Sequence, residues 1–331
     1  MQTIAPIQIE RKKGMILKEE IFKELRCPKC LGQLSAVENL LSCQNTNCLK
    51  KYPIVNEIPI LINEESSIFL IQDFLDYKET TLSLRKSKFE SIARKIIPSI
   101  SNNIKAKVNY KKLLSLLLEQ PHQPKVLILG GSILGEGIEQ FVVEPRINLI
   151  ESDVSYGPRT QLIFDAHNIP FPDEFFECVI IQAVLEHVVD PQRCVSEIHR
   201  VLKKHGLVYA ETPFMQQVHM GKYDFQRFTH LGHRRLFRDF DEIESGAVCG
   251  PGMALAWAYS YFIFSFFTSK RLRKLLGLFT RFTAFFWKYF DYLLIDKPGS
   301  QDAASGYYFM GKKSASRLDD RELLKLYKGL Q

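Results

Sequence analysis

Cys27, Cys30, Cys43 and Cys48 are the residues of this chain whose type and spacing most directly imply chemistry. Two thiols with two residues between them, a spacer of about a dozen and a second pair with four between them can converge tetrahedrally on one Zn²⁺, at roughly 2.3 Å per bond. Two disulfides or four separate buried thiols fit less well. No secretory signal precedes the four, and intracellular chains rarely keep disulfides. With protein at all four positions the metal has no open site and is structural. About forty residues bury too little apolar surface to fold unaided, and structural zinc supplies an apparent ~10–16 kcal/mol in small fingers.

A second set lies further along. Lys125-Val126-Leu127-Ile128-Leu129 fits a buried parallel strand and opens into a turn with Gly130, Gly131 and Gly135. Glycine lets backbone approach a ligand closely because no Cβ intervenes. Ile147 to Ile150 reads as a second strand running into Glu151-Ser152-Asp153, about twenty residues past the first glycines, where an acid can accept both ribose hydroxyls. Asp153 fits better as the strand-end acid, though Glu151 could serve. Phe164-Asp165-Ala166 and a third strand, Phe176 to Gln182, precede Leu185-Glu186-His187. Asp190-Pro191 is an N-cap with proline in the first turn, and Val195, Ile198, Val201 and Leu202 give the apolar stripe of a crossover helix. Strand Leu207 to Glu211 then opens into Thr212-Pro213-Phe214, at the edge where ligands of open α/β sheets gather. The pattern predicts an α/β fold with a Rossmann-like sheet.

The 331 residues, 46% hydrophobic and 24% charged, provide for one large core plus a small module. A net charge of +7 favours anionic partners, whether RNA or a membrane surface. Cys178, Cys194 and Cys249 lie singly in apolar surroundings and read as core thiols. The organisation predicted is a zinc-ribbon module over 21–63, a basic helical linker over 64–120, an α/β domain over 121–315 and a tail over 316–331. Arg85, Lys86, Lys88, Arg94, Lys95, Lys105, Lys107, Lys111 and Lys112 make the linker cationic, as a solvated face or a phosphate grip. Asp241 to Cys249 and Ala304 to Gly311 read as the last two strands, separated by a helical hydrophobic insertion at 250–297. Its uncharged part approaches the ~20 residues of a membrane span, but it begins Gly-Pro-Gly and must return to the sheet. A buried lid, a dimer contact or an interfacial hairpin with its basic residues at lipid headgroups are the readings that fit.

Residues 21–63, with the four cysteines, Tyr52-Pro53-Ile54 and Ile58-Pro59-Ile60-Leu61, resemble the zinc ribbons of small activator subunits that partner tRNA and translation-factor methyltransferases. That likeness implies a scaffold or partner-contacting role. Residues 125–215, and more loosely to 313, resemble class I S-adenosylmethionine-dependent methyltransferases of the type 11-like group. The likeness rests on the glycine turn, the strand-end acid, Asp165-Ala166, Pro170-Phe171 and Leu185-Glu186-His187. It implies S-adenosylmethionine as cofactor, with Gly130, Gly131 and Gly135 along the methionine end, Asp153 on ribose, Asp165 with Ala166 on adenine, and Gln182 beside the sulfonium. Three features depart from the family. Ile128 stands where the first strand commonly carries an acid, Ser132 interrupts the glycine turn, and Asp153 to Asp165 is too short for a full intervening helix.

Methyl transfer from a sulfonium needs an in-line nucleophile in a dry, oriented pocket, and positioning supplies roughly 7–11 kcal/mol of the barrier. A hydroxyl acceptor must also lose its proton, whereas a neutral amine need not. His187, His219, Tyr223, Asp224, Arg227 and His233 are the candidate substrate contacts, with no catalytic base assigned. The expected enzyme methylates a small-molecule, glycan or lipid-linked acceptor, in the cytoplasm or peripheral to a membrane through 250–297, as a monomer or a homodimer. An RNA methyltransferase or RNA-binding module is the competing class, since ribosomal-RNA guanine methyltransferases also place a cysteine-rich ribbon before this fold. Their ribbon commonly has a histidine ligand, and an Asn/Asp-Pro-Pro-Tyr type motif is missing here, with Glu211-Thr212-Pro213-Phe214 in its place. A catalytically silent scaffold is the third class.

Overall fold

The computed structural model describes residues 16–77 and 97–330, so the Arg85 to Lys95 part of the basic run lies outside the described residues. Eleven strands form one sheet: β1 (Leu34–Val37), β2 (Leu40–Cys43), β3 (Lys51–Val55), β4 (Ile58–Leu61), β5 (Lys125–Leu129), β6 (Asn148–Asp153), β7 (Leu162–Phe164), β8 (Phe176–Gln182), β9 (Leu202–Pro213), β10 (Phe240–Cys249) and β11 (Gly306–Lys313). Their order is β1-β2-β3-β4-β7-β6-β5-β8-β9-β11-β10. From β4 to β9 all neighbours are parallel, and β11 runs antiparallel between β9 and β10. The chain winds from β5 out to β7, then returns to lay β8 on the other flank of β5. This reversal opens a crevice at the carboxyl ends of β5 and β8.

Alternation along the strands divides the core between the two faces of the sheet. Leu127, Leu129, Val179 and Ile181 face one cluster, which holds Val195, Ile198 and Val201 of the Pro191–Val201 helix. Asp190 caps that helix by accepting from Arg193 N, as its sequence predicts. Val126, Ile128, Cys178 and Ile180 face the other cluster, against Ala106, Tyr110, Leu113 and Leu117 of the Ala106–Leu118 helix. Part of the segment expected as a basic linker is therefore a core helix. Its lysines occupy the outer face, where Lys112 pairs with Glu244, and Lys105 just ahead of it pairs with Asp296. Among the described residues no helix intervenes between Asp153 and Leu162.

The cysteine-bearing segment shares the sheet's own core. β4 pairs with β7 in parallel, Ile60 opposite Ile163 and Leu61 opposite Phe164. Arg26 N donates to Pro170 O at 2.9 Å. Ile21, Leu25, Cys27, Cys43 and Tyr52 pack in the same cluster as Phe164, Phe171 and Val179. At the other end, β10 and β11 pair as expected, and the chain between them forms the Pro251–Ser265 and Lys270–Ala284 helices followed by shorter turns. Asp291 fastens this hairpin, its carboxylate accepting from Gly252 N at 2.6 Å and Met253 N at 2.9 Å. Negative charge at a helix N-terminus meets both the unpaired N–H groups and the positive end of the dipole. No helix of the described residues is long and apolar enough to cross a membrane.

Candidate active site

Two cavities of about 340 Å³ each adjoin at the crevice, sharing Leu129, Gly130, Ile133, Leu134 and Ala183 in their walls. Gly130 follows β5 with φ +79°, and a Cβ there would collide with Val184. A Cβ on Gly135 would likewise meet the Gln182 amide. At both positions the missing Cβ lets a side chain of the crevice wall, Val184 or Gln182, close over the backbone.

The first cavity is lined by Asp153, Asp165, Ala166, His167 and His187, with Ile68 and Phe69 from the segment after the ribbon. Asp153 ends β6 and accepts from Ser132 N at 3.1 Å. Burial raises its pKa against the pull of that bond and its backbone neighbours. Asp165 follows β7. Burial works to raise its pKa, but the His167 and Ser67 bonds outweigh burial and hold it low. His167 Nδ1 bonds Asp165 Oδ1 at 2.5 Å, and its Nε2 lies 3.0 Å from Asp190 N, so the ring is a fixed strut. Ser67 donates to Asp165 Oδ2 at 2.5 Å. Glu151, the alternative strand-end acid, is committed elsewhere: Arg159 Nε donates to its Oε1 at 2.7 Å and Nη2 to its Oε2 at 2.5 Å.

The second cavity is lined by Gly131, Gly135, Gln182, Glu186, Glu211 and His219, with Met253 from the inserted hairpin. Glu211 anchors its wall, accepting from Tyr209 OH at 2.5 Å, Asn103 Nδ2 at 2.7 Å and Gln182 Nε2 at 2.9 Å. Burial raises the Glu211 pKa and pushes Glu186 up to about 8. Asp224 and Arg227 lie behind His219 rather than in the cavity wall. Arg227 binds both carboxylate oxygens of Asp224, which also accepts from His219 N at 2.8 Å. Burial opposes ionisation of Asp224, but these bonds hold its carboxyl well below the usual range. Tyr223 presents its backbone carbonyl to His187 and its ring to Phe69. His233, expected among the substrate contacts, instead lies in the Phe228–Phe237 core, away from both cavities. Polar residue type near a strand end did not reveal that its helix, His230–Leu236, turns this side chain inward. Ser67, Glu186 and Glu211 went unassigned in the sequence. Only Glu186 carried a signal, as the middle residue of Leu-Glu-His.

The four ribbon thiols converge, with all Sγ atoms within 4.8 Å of one another. Cys27 and Cys48 lie 3.7 Å apart and Cys30 and Cys43 3.5 Å apart, spacings of thiolates around one ion rather than of disulfides. Leu31 and Leu49, each following the second cysteine of a pair, adopt φ +57° and +52°, turning the chain back at both corners. Burial, with the neighbouring Cys30 and Cys27 thiols, pushes the Cys43 thiol up to about 12, a bias that a bound cation reverses. The donor set fits structural zinc.

A crevice at the strand reversal, a glycine turn facing it and acids at the ends of β6 and β7 define a methyltransferase-type α/β domain. Residues 143–210, spanning β6 to most of β9, match the family described as Methyltransferase domain. That stretch, which holds Asp153, Asp165, Ala166 and Gln182, is similar to methyltransferase domains. No curated protein matches the chain. Solved structures with likeness include Haemonchus contortus phosphoethanolamine N-methyltransferase 2 in complex with S-adenosyl-L-methionine, at 16% identity over 77% of this chain and 62% of that one, TM-score 0.42. A complex containing the Haloferax volcanii Trm112 methyltransferase activator matches at 16% identity over 70% and 99% of the two chains, TM-score 0.36. The YcgJ protein of Bacillus subtilis matches at 13% identity over 63% and 99%, TM-score 0.36. Likenesses this distant assign no acceptor.

Proposed function

We propose that this chain transfers a methyl group from S-adenosylmethionine to a lipid-linked or otherwise apolar acceptor, with Zn²⁺ held structurally by Cys27, Cys30, Cys43 and Cys48. The observation that carries the methyl-transfer reading is the pair of adjoining cavities, one walled by Asp153, Asp165 and Ala166 and the other by Gln182, Glu186 and Glu211. When bound, the cofactor supplies an electrophilic methyl on a sulfonium. Asp153 accepts from the ribose, Asp165 and Ala166 meet adenine, and backbone at Gly130, Gly131 and Gly135 follows the amino-acid end. Gln182, fixed by Glu211, borders the sulfonium, and the acceptor enters beside Glu186 and His219.

The hairpin supports an apolar acceptor. Met253 lines the second cavity, the Trp257 ring lies 6.1 Å from that of His219, and Tyr261 OH donates to Val218 O at 2.7 Å. The same helix then runs out to a tip where Phe262 and Phe266 are 63% and 67% exposed, with Leu275 beyond at 65%. Lys270, Arg271, Arg273 and Lys274 crowd the first turns of the next helix. Cations at the positive end of a helix dipole destabilise it, and no carboxylate among the described residues pairs with these four. An anionic lipid surface satisfies both the rings and the charges.

Calorimetry with S-adenosylmethionine tests the first half of this reading. Wild type binds with measurable heat, and Asp153→Asn binds at least about tenfold more weakly, since a hydrogen bond to a charged group contributes ~1.5–3 kcal/mol. An absence of heat in the wild type sinks it. Co-sedimentation with vesicles tests the second half. Phosphatidylserine-containing vesicles retain the wild type, and Phe262→Ser with Phe266→Ser releases it. Binding to an RNA duplex that collapses with added salt, without vesicle retention, would instead favour the RNA class.

A further inference from the structure

Glu186 is wholly buried, lines the second cavity, and has no hydrogen-bond partner on either carboxylate oxygen among the described residues. Buried carboxylates are costly unless paired or bound to a metal. Two imidazoles face this one. His187 Nδ1 lies 2.8 Å from the Tyr223 carbonyl, which can only accept, so Nδ1 carries the proton and Nε2 presents a lone pair 3.6 Å from Glu186 Oε1. His219 places Nε2 4.0 Å from the same oxygen. Its Nδ1 lies 3.2 Å from the Gln217 carbonyl and 3.4 Å from Arg227 Nη2, and in the tautomer that donates to Gln217 this ring too turns a lone pair toward Glu186. The three ligand atoms lie within 4.8 Å of one another. With both rings in that tautomer, a carboxylate and two ring lone pairs converge with no donor among them. Meanwhile the outer carbonyls and Asp224 hold the rings as outer-shell groups do at metal sites.

We propose that Glu186, His187 and His219 hold a divalent transition-metal ion at the acceptor end of the crevice, distinct from the four-cysteine site. Two imidazoles with one carboxylate suit zinc, iron or cobalt, whereas magnesium and calcium take oxygen donors. Three protein ligands leave a position open toward the cavity, as at catalytic rather than structural sites. The inference rests on reading that cavity as the acceptor side, and it narrows the acceptor to an oxygen nucleophile. An acceptor hydroxyl bound to the ion releases its proton to water more readily. Its oxygen then forms the bond to the methyl carbon while the methyl–sulfur bond breaks, and that electron pair cancels the positive charge on sulfur.

The test equilibrates the full chain with Zn²⁺, desalts it, and counts metal by mass spectrometry alongside Glu186→Gln and His219→Ala. Wild type retains one equivalent more than either variant, while the ribbon equivalent and the affinity for S-adenosylmethionine are the same in all three. His219→Ala, on a solvent-reaching loop, keeps the test decisive where Glu186→Gln fails to fold. Asp224→Asn, which acts through His219, weakens the second equivalent by about 10–100-fold against a competing chelator. Equal metal content in wild type and variants overturns the proposal, because a proton then lies among the three groups. Loss of the second ion with cofactor binding intact leaves the methyl-transfer reading standing. A second ion in a chain that binds no cofactor removes that reading and keeps the site.

Discussion

The ribbon joined to β7 and the hairpin inserted between β10 and β11 are additions to opposite ends of one sheet, and they dispose of their apolar residues in opposite ways. The ribbon buries Ile21, Leu25, Leu41 and Tyr52 in a cluster continuous with the sheet. The hairpin leaves Phe262, Phe266, Phe279 and Phe282 each more than half exposed. Val37 and Leu49 are exposed singly at its turns, while Leu41 and Tyr52 lie inward. A long helical pair anchored at one base by Asp291 can hold its far end free. The contrast fits the proposed roles, stability for one addition and contact for the other.

Metal removal should break that contrast most visibly. Chelation, or Cys27→Ser with Cys30→Ser, removes an apparent ~10–16 kcal/mol of ribbon stability, comparable to the entire stability of an ordinary domain. Both tryptophans, Trp257 and Trp287, lie in the hairpin region, so their fluorescence reports on the end remote from the ribbon. A shared core predicts that their thermal transition moves down with the ribbon's. An unmoved tryptophan transition would mean that the two ends fold as separate units.

Paired truncations sharpen the comparison. Phe171 is fully buried, with ring centroids 5.4 Å from Phe175 and 4.9 Å from Phe176, and Phe171→Ala should cost about 3–5 kcal/mol in denaturant unfolding. Phe266→Ala should change stability by no more than about 0.5 kcal/mol while weakening vesicle retention. A large loss from Phe266→Ala would show that the hairpin tip is folded into a core after all.

A pH-dependent effect lies in the packing beneath β10 and β11. Burial lowers the pKa of His230 to about 4 and that of His233 to about 3 from the ordinary 6.5, so both rings are neutral in the folded chain. Below pH 6.5 the unfolded chain takes up protons that the folded chain refuses. Stability is therefore full above that pH and falls as pH drops toward 4, by about 1 kcal/mol per pH unit for each ring. His233→Gln should flatten the slope in urea melts run between pH 7 and pH 5.

Much of this arrangement was legible in local pattern, because a buried parallel strand, a glycine turn and a strand-end acid are each set by a few adjacent residues. β5, β8 and the Pro191–Val201 helix follow that way, as does the convergence of the four thiols. What the pattern hid depends on partners remote in the chain. Lys107, Lys111 and Lys112 masked the inward stripe of Tyr110, Leu113 and Leu117. Ser67 reaches Asp165 across 98 positions, and His219 folds back over Glu186 only because Asp224 and Arg227 hold its loop. Glu186 itself reads as an ordinary motif residue until its surroundings show that its carboxyl oxygens have no hydrogen-bond partner among the described residues.

The pairing of β4 with β7 also has a consequence for the life of the chain before it is active. Without the ribbon, β7 would present a bare row of amide and carbonyl groups, a ready template for strands of other molecules. If the ribbon folds only around the proposed ion, scarcity of zinc would leave newly synthesised copies open to aggregation, and zinc supply would set how many reach solution as single molecules.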